Sequence, residues 1–140
     1  MLYIDTSLLV AALTNEAATE RVLNWIDHQL PDELAISSWV VTEFSAAMSV
    51  KLRSGAVTAG ERAQALTAFR QLAATSLQWL PIGSRVFEVA ARLADSHASG
   101  LRAGDALHLA IIADQNACLC TLDRRLARAS DALGIKAILI

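Results

Sequence analysis

Four acidic residues stand where they could together hold a divalent cation: Asp5, Glu43, Asp105 and Asp123. Asp5 and Asp123 each follow a short apolar run, whereas Glu43 and Asp105 fall near the starts of helical segments. Four carboxylates at close range repel one another unless a cation neutralises them. Carboxylate oxygens are the ligands that hard cations prefer, so these acids predict a site for Mg²⁺ or Mn²⁺.

A pair of such ions supports one reaction in particular, the in-line hydrolysis of a phosphodiester. One ion activates a water as the nucleophile, and the other stabilises the leaving 3′-oxygen and the charge of the transition state. The mechanism needs no covalent intermediate. The acids therefore favour a metal-dependent nuclease.

Each acid also has an ordinary structural explanation. Acids in a first helical turn cap N–H groups and complement the helix dipole, which by itself would explain Asp105 or Asp123. Glu43 is harder to explain in this way, because it lies in the apolar stretch 39–44, where an unpaired acid is costly. Asp5 has similarly apolar neighbours. The four together favour a site over four independent caps.

Short apolar strands alternating with helices must bring these acids together. The pattern predicts strands at 2–4, 34–36, 77–80, 117–121 and 136–140, and helices at 7–13, 15–30, 39–53, 58–75, 84–97, 102–114 and 123–133. Thr58 and Glu61 form a capping-box pattern, and Ser37 and Ser38 are placed to cap the third helix.

The alternation predicts a three-layer α/β/α fold with a five-stranded parallel sheet. Right-handed crossovers place the carboxyl ends of the strands, and the helix starts that follow them, at one edge of the sheet. Ligands of open α/β sheets bind at that edge. We therefore expect the four acids there.

Composition is compatible with this interpretation. The chain has 140 residues, enough for one domain, and 54% of them are hydrophobic. No stretch approaches the roughly 20 apolar residues that span a bilayer, and the first residues lack the basic start of a signal peptide. We expect a cytoplasmic protein that does not interact with membranes.

Charge is unevenly distributed along the chain, although the net charge is only −2. Residues 1–50 carry seven acids and one base, and residues 51–140 carry seven acids and eleven bases. Without the four candidate ligands, the chain has ten acids and twelve bases. Such a surface permits binding of a nucleic acid.

Two further features have simple explanations. Cys118 and Cys120 would point to one face of a strand, and we interpret them as buried core thiols rather than a metal site. His108 follows Asp105 by three residues, on the same helical face. A site of hard cations gains little from imidazole, so His108 is predicted to pack or to support a ligand.

Four segments, taken in order, resemble the PIN domain family and, more narrowly, the VapC-type toxins of bacterial toxin–antitoxin pairs: Leu2–Ser7, Val41–Phe44, Asp105–Ala110 and Thr121–Leu126. The resemblance runs from residue 2 to the end of the chain. It implies one PIN-like domain over residues 1–140, acting as an endoribonuclease that depends on Mg²⁺ or Mn²⁺. It also implies a homodimer and a cognate antitoxin that inserts a segment into the acidic groove.

The resemblance assigns roles to individual residues. Asp5, Glu43, Asp105 and Asp123 become the metal-binding and catalytic set. Thr6 matches the small hydroxyl residue that often follows the first acid and assists the site. Thr121 matches the hydroxyl residue two positions before the last acid.

Four arginines near the acids either contact RNA phosphates or are ordinary surface charges: Arg102, Arg124, Arg125 and Arg128. The sequence leaves that choice open.

Other functions fit less well or remain open. A receiver domain needs an acidic pair after the first strand and a lysine near the end of the fifth, but the chain has a single Asp5 and has Lys136 at the start of its last predicted strand. A haloacid-dehalogenase-type phosphatase needs a second acid where Ser7 stands. A non-catalytic PIN fold that binds RNA or protein is the main alternative.

Overall fold

Five short strands form the centre of the molecule. They are β1 (Leu2–Ile4), β2 (Leu34–Ser37), β3 (Gln78–Leu80), β4 (Cys118–Thr121) and β5 (Ala137–Leu139). All neighbouring strands are parallel, in the order β3-β2-β1-β4-β5. This computed structural model describes the backbone of residues 1–140 and every side chain except those of Pro31 and Ala98.

Seven helices connect and cover the strands. They are α1 (Thr6–Leu13), α2 (Thr19–Asp27), α3 (Ser38–Arg53), α4 (Ala59–Thr75), α5 (Ser84–Asp95), α6 (Ala103–Gln115) and α7 (Arg124–Ala132). Single 3-10 turns occur at Pro31–Glu33 and His97–Ser99. The predicted α/β fold with a five-stranded parallel sheet is confirmed.

Strand order and crossover handedness distribute the helices over the two faces. The chain moves from β1 through β2 to β3 in one direction, then returns past β1 to β4 and β5. Right-handed connections therefore place α1 to α4 on one face and α5 to α7 on the other. The helix contacts agree, since α3 packs on α1 and α4, while α5 packs on α6.

The core lies between the central strands and the helices on each side. Tyr3, Ile36 and Leu119 are fully buried on the three central strands. Residues 106–112 of α6 are buried without interruption, so this helix is enclosed on nearly all sides. Both cysteines of β4 are free thiols, but only Cys120 is buried as predicted, and Cys118 is partly exposed at the start of the strand. Burial raises the pKa of Cys120 to about 12.

Two predicted helix starts had opposite outcomes. The capping box of α4 is confirmed, with Glu61 N–H donating to Thr58 Oγ1 at 3.2 Å and Thr58 N–H donating to Glu61 Oε2 at 2.7 Å. The start of the second helix at residue 15 is wrong. The Thr19 hydroxyl accepts from Glu16 N–H and donates to carbonyls of the preceding segment, so the chain turns before α2 begins.

The direction in which successive strands are added to the sheet reverses between β1 and β4. β1 pairs with β2 on one side and with β4 on the other, with Ile4 opposite Cys120. Asp5 N–H continues the ladder by donating to Cys120 O at 3.2 Å. Crevices at such points bind ligands in open α/β sheets. Throughout the described part of the chain, none of the helices has the length and apolarity to cross a membrane.

Candidate acidic site at the ends of β1 and β4

Asp5 is held rigidly where β1 passes into α1. Its Oδ1 accepts hydrogen bonds from Ser7 N–H (3.0 Å), Leu8 N–H (3.3 Å) and Ser7 Oγ (2.6 Å). Its Oδ2 accepts one from Thr121 Oγ1 at 2.6 Å. Only 4% of the residue is exposed. Asp5 is thus the N-cap of α1, but it is far more buried than a cap requires.

Burial dominates the electrostatics of Asp5. It raises the pKa of the carboxyl, although the hydrogen bonds from Ser7 and Thr121 act in the opposite direction. The ionised form is therefore less stable here than in water. A cation close to Asp5 would remove that penalty.

Hydroxyl groups join the ends of β1 and β4. Thr121 is fully buried, donates to Asp5 and accepts from Asp123 N–H at 2.9 Å. Ser7 Oγ accepts from Leu122 N–H at 2.9 Å. Thr121 therefore contacts the side chain of the first acid and the backbone of the last. Ser7 has a matching role that sequence reasoning missed, although a hydroxyl two residues after the first acid was a visible signal.

Asp123 is the N-cap of α7. Its Oδ1 accepts from the N–H groups of Arg125 (2.7 Å) and Leu126 (3.1 Å). Its Oδ2 makes no hydrogen bond with any described residue. One carboxylate oxygen thus serves the helix, and the other is available to a ligand.

Glu43 extends from the second turn of α3 towards α1 and α6. Its Oε2 accepts from Thr6 Oγ1 at 2.7 Å and pairs with His108 Nε2 at 2.5 Å. Burial alone would raise the pKa of Glu43. Hydrogen bonds from His108 and Thr6, together with the positive charge that His108 carries whenever it is protonated, outweigh burial and lower it. Glu43 is therefore ionised at neutral pH.

Gly104 makes room for the Glu43 carboxylate. A Cβ at position 104 would lie 2.8 Å from Glu43 Oε1 and 3.4 Å from the ring of Trp39. The first distance is closer than non-bonded atoms approach, so any larger residue would displace the carboxylate. Glycine here fixes the space that Glu43 occupies.

Asp105 lies in the first turn of α6 and contacts two arginines. Its Oδ2 accepts from Arg102 N–H at 3.1 Å and from Arg125 Nη2 at 2.8 Å. The backbone of Arg125 is bonded to Asp123, so this one residue links two of the predicted acids. A side-chain cation already sits against Asp105.

Hydrogen bonds through Thr121 and Arg125 link Asp5, Asp123 and Asp105. Glu43 belongs to a separate set of hydrogen bonds, with Thr6 and His108, and the four acids do not surround one point. Within the described residues, no three His, Cys, Asp or Glu side chains are grouped closely enough to hold a metal ion. The donor set itself consists of carboxylate oxygens, which fit Mg²⁺ or Mn²⁺. Arg125 already pairs with Oδ2 of Asp105, so an ion bound at that oxygen would compete with this arginine.

A buried polar chain lies behind Glu43. His108 Nδ1 is 2.9 Å from Tyr3 Oη, which is 2.8 Å from Ser37 Oγ. Ser37 occupies the N-cap position of α3, but its side chain makes no capping bond, so the predicted capping role is wrong. Its hydroxyl is directed to Tyr3 instead. Sequence reasoning missed Tyr3, whose one signal was a phenol within an aliphatic strand.

The arginines lie on the surface beside the acids. Arg102 is exposed at the start of α6. The other three line a groove of about 620 Å³ with two serines and an apolar floor: Ser96, Ser99, Arg124, Arg125, Arg128, Ala129, Ala132 and Leu133. No acidic side chain lines this groove in the described part of the chain.

Comparison with known families and structures gives one consistent fold. The family model described as PIN domain matches residues 2–132. The chain is similar to FitAcB from Neisseria gonorrhoeae, with 15% identity, 99% of this chain and 96% of that chain covered, and a TM-score of 0.68. No curated protein matches it in sequence.

Two further structures cover both chains almost completely. VapBC2 from Rickettsia felis, bound to a DNA fragment from its promoter, has 16% identity, coverage of 100% and 99%, and a TM-score of 0.68. VapC20 from Mycobacterium tuberculosis, a sarcin-ricin loop cleaving toxin, has 17% identity, coverage of 100% for both chains, and a TM-score of 0.74. At these identities the likeness establishes the fold.

Proposed function

This chain belongs to the PIN domain family, and from that premise we propose that it is a VapC-like endoribonuclease toxin, dependent on Mg²⁺ or Mn²⁺ and inhibited by a cognate antitoxin. One observation carries the proposal: Asp5 is ionisable, almost fully buried and held at the crevice between β1 and β4, next to Asp123. Structural relatives that are toxins or toxin–antitoxin complexes support it.

The residues of the chain have distinct tasks in this proposal. Asp5, Glu43, Asp105 and Asp123 would hold the cation. A divalent ion there supplies Lewis-acid activation of water and neutralises charge on the leaving 3′-oxygen. The protein's part is to keep the carboxylates ionised and fixed: Thr121 orients Asp5, and Thr6 orients Glu43.

Cleavage of total RNA by the purified protein, free of antitoxin, tests the proposal. Wild type and Asp105→Asn would be compared in Mg²⁺, in Mn²⁺ and in EDTA. We expect fragments from the wild type alone and only with metal. Asparagine keeps an acceptor for Arg102 N–H and loses only a partly exposed ion pair, worth about 0–1 kcal/mol, so the variant should fold. Equal cleavage by both proteins, or cleavage in EDTA, would refute the assignment.

The alternative is a non-catalytic PIN fold that binds RNA or protein. The ion pair between Arg125 and Asp105 favours it, because an internal cation already neutralises this carboxylate. A titration with Mn²⁺ discriminates the two functions. A folded protein that binds no Mn²⁺ and leaves RNA intact would belong to the alternative.

The arginine groove provides a prediction about the substrate. We expect Arg124→Ala/Arg128→Ala to weaken RNA binding, because each arginine that pairs with a phosphate displaces counterions. Loss of two contacts to single-stranded RNA should reduce the slope of log K against log salt by roughly 1.4. Binding would be measured in EDTA over a range of salt, so that cleavage does not interfere.

Arg70→Ala is the matched control, because Arg70 is exposed on α4, on the opposite face of the sheet. It should alter neither affinity nor slope. If the double variant behaves like this control, the arginines of the groove are ordinary surface charges.

The protein partners are also proposals. Toxin–antitoxin complexes among the structural relatives support an antitoxin, and the amphipathic segments 17–30 and 58–75 are candidate surfaces for it or for a homodimer. Leu23 and Leu30 in the first segment are 43% and 61% exposed, and Trp79 on β3 is 51% exposed. Aromatic side chains such as Trp79 are enriched at protein interfaces.

A further inference from the structure

We propose that His108 is a positioning residue of the acidic site: its Nε2–H fixes the carboxylate of Glu43, and Tyr3 and Ser37 fix His108 in turn. The consequence for catalysis rests on the proposed nuclease function. The arrangement of the side chains is independent of that function. His108 is not a metal ligand, because both of its ring nitrogens are already bonded to protein groups.

The donors and acceptors around His108 define which tautomer its neutral imidazole adopts. An ionised carboxylate only accepts, so Nε2, which faces Glu43 Oε2, must carry a proton. In the neutral imidazole, Nδ1 then accepts from the Tyr3 hydroxyl at 2.9 Å, and Tyr3 Oη accepts from Ser37 Oγ at 2.8 Å. In the series Ser37, Tyr3, His108 and Glu43, each group thus donates its hydrogen bond to the next one.

Burial makes this chain rigid. Tyr3 and Ser37 are 0% exposed and His108 is 3% exposed, on β1, β2 and α6 respectively. The Tyr3 and His108 rings also meet edge to face, with centroids 5.6 Å apart. Rotating the imidazole would break two hydrogen bonds where water cannot replace them. Three separate elements therefore determine the direction of Nε2–H.

The Glu43 carboxylate is confined from two sides. Thr6 and His108 both bond to Oε2, whereas Oε1 lies against the space that Gly104 leaves open. Oε1 is the oxygen left for a cation. Groups that orient a ligand in this way typically change metal affinity or activity by about 10–100-fold when they are removed.

Two substitutions at position 108 separate positioning from packing. The amide nitrogen of glutamine reaches the place of Nε2, whereas the amide of asparagine reaches only the place of Nδ1. If His108 positions Glu43, His108→Gln should keep Mn²⁺ affinity and RNA cleavage within a few-fold of wild type, and His108→Asn should lose about 10–100-fold in both.

If His108 has a purely structural role, the two variants should rank in the opposite order of Mn²⁺ affinity and RNA cleavage. His108→Asn would then keep the bond to Tyr3 and behave like wild type, and His108→Gln would be the impaired variant. Equal behaviour of the two variants would also overturn the proposal. Gly104→Ala provides a second route to the same site, since its Cβ displaces Glu43 Oε1; we expect it to lose Mn²⁺ affinity while the melting temperature changes little.

Nitrogen NMR of the imidazole tests the inference without reference to activity. In wild type with EDTA, at a pH where the imidazole is neutral, His108 should show a protonated Nε2 and an unprotonated Nδ1, and Tyr3→Phe should remove the hydrogen bond at Nδ1 while the ring still packs. Protonation of Nδ1 alone would overturn the proposal. If the wild type cleaves no RNA, only the proposed function fails, because the NMR and Mn²⁺ results still decide the role of His108.

Discussion

Replacing Asp5 with asparagine is expected to lower RNA cleavage at least about a hundredfold, the usual cost of removing one group that stabilises charge in a transition state. The asparagine side chain would still accept from Ser7 and Leu8 through its oxygen, so α1 keeps its cap. The variant loses the negative charge at the crevice, and its amide nitrogen would donate to Thr121 Oγ1 where Asp5 Oδ2 accepts from it. The loss should therefore fall on metal binding and cleavage rather than on folding.

The same variant should be at least as stable as wild type at neutral pH. Since burial raises the pKa of Asp5, the native state binds this proton more tightly than the unfolded chain does. The contribution of Asp5 to the free energy of unfolding is thus fully present below the ordinary carboxyl pKa and is lost as pH rises through the raised native value. Asparagine does not titrate, so the difference in stability should grow in its favour across that window.

Urea unfolding at several pH values, alongside an RNA cleavage assay, checks both parts. Asp95→Asn is the control, because Asp95 is an exposed acid at the end of α5. We expect the control to cleave RNA at the wild-type rate. Full activity of the Asp5 variant would remove Asp5 from the site. A stability deficit that grows with pH would contradict the assigned effect of burial.

Replacing Phe44 with alanine is expected to reduce the free energy of unfolding by about 3–5 kcal/mol. Phe44 is fully buried and stacks on Phe69, with ring centroids 4.4 Å apart. The pair joins α3, which carries Glu43, to α4. Removal of the ring leaves a cavity that neither helix can close. The melting temperature should fall on the order of 10 °C.

Two controls accompany this variant. Phe44→Leu retains most of the buried volume and should lose well under half as much stability. Val50→Ala tests the same helix at a position that is 54% exposed, where we expect little change. Chemical denaturation followed by circular dichroism measures all three. Similar losses for alanine at positions 44 and 50 would mean that the Phe44–Phe69 contact does not hold α3 in place.

Much of this architecture follows from local sequence patterns. Runs such as Leu2–Ile4 are too short and too apolar for anything but buried strands, and Thr58 with Glu61 defines a helix start by local hydrogen bonds alone. The error at the start of α2 has a local cause as well. Residue 15 has helix-compatible neighbours, but the Thr19 hydroxyl satisfies the backbone of the preceding turn.

The site was predictable only in outline. Parallel strands share an edge for their carboxyl ends, so Asp5 and Asp123 could be placed together from sequence. The pairing of Arg125 with Asp105 could not, because it depends on how α7 packs beside α6. The same holds for Ser37, where local pattern indicated a helix cap and the structure has a bond to Tyr3.

The sequence by itself determined the strands and most of the helices, because hydrophobic periodicity and helix capping are decided by residues near one another in the chain, and it indicated the four candidate acids. The tertiary structure decided that β1 lies between β2 and β4. That order brings Tyr3 beside Ser37 and His108, and His108 beside Glu43. These contacts span 34 to 105 positions, and no local pattern encodes them, since they arise only when strands and helices pack around one core.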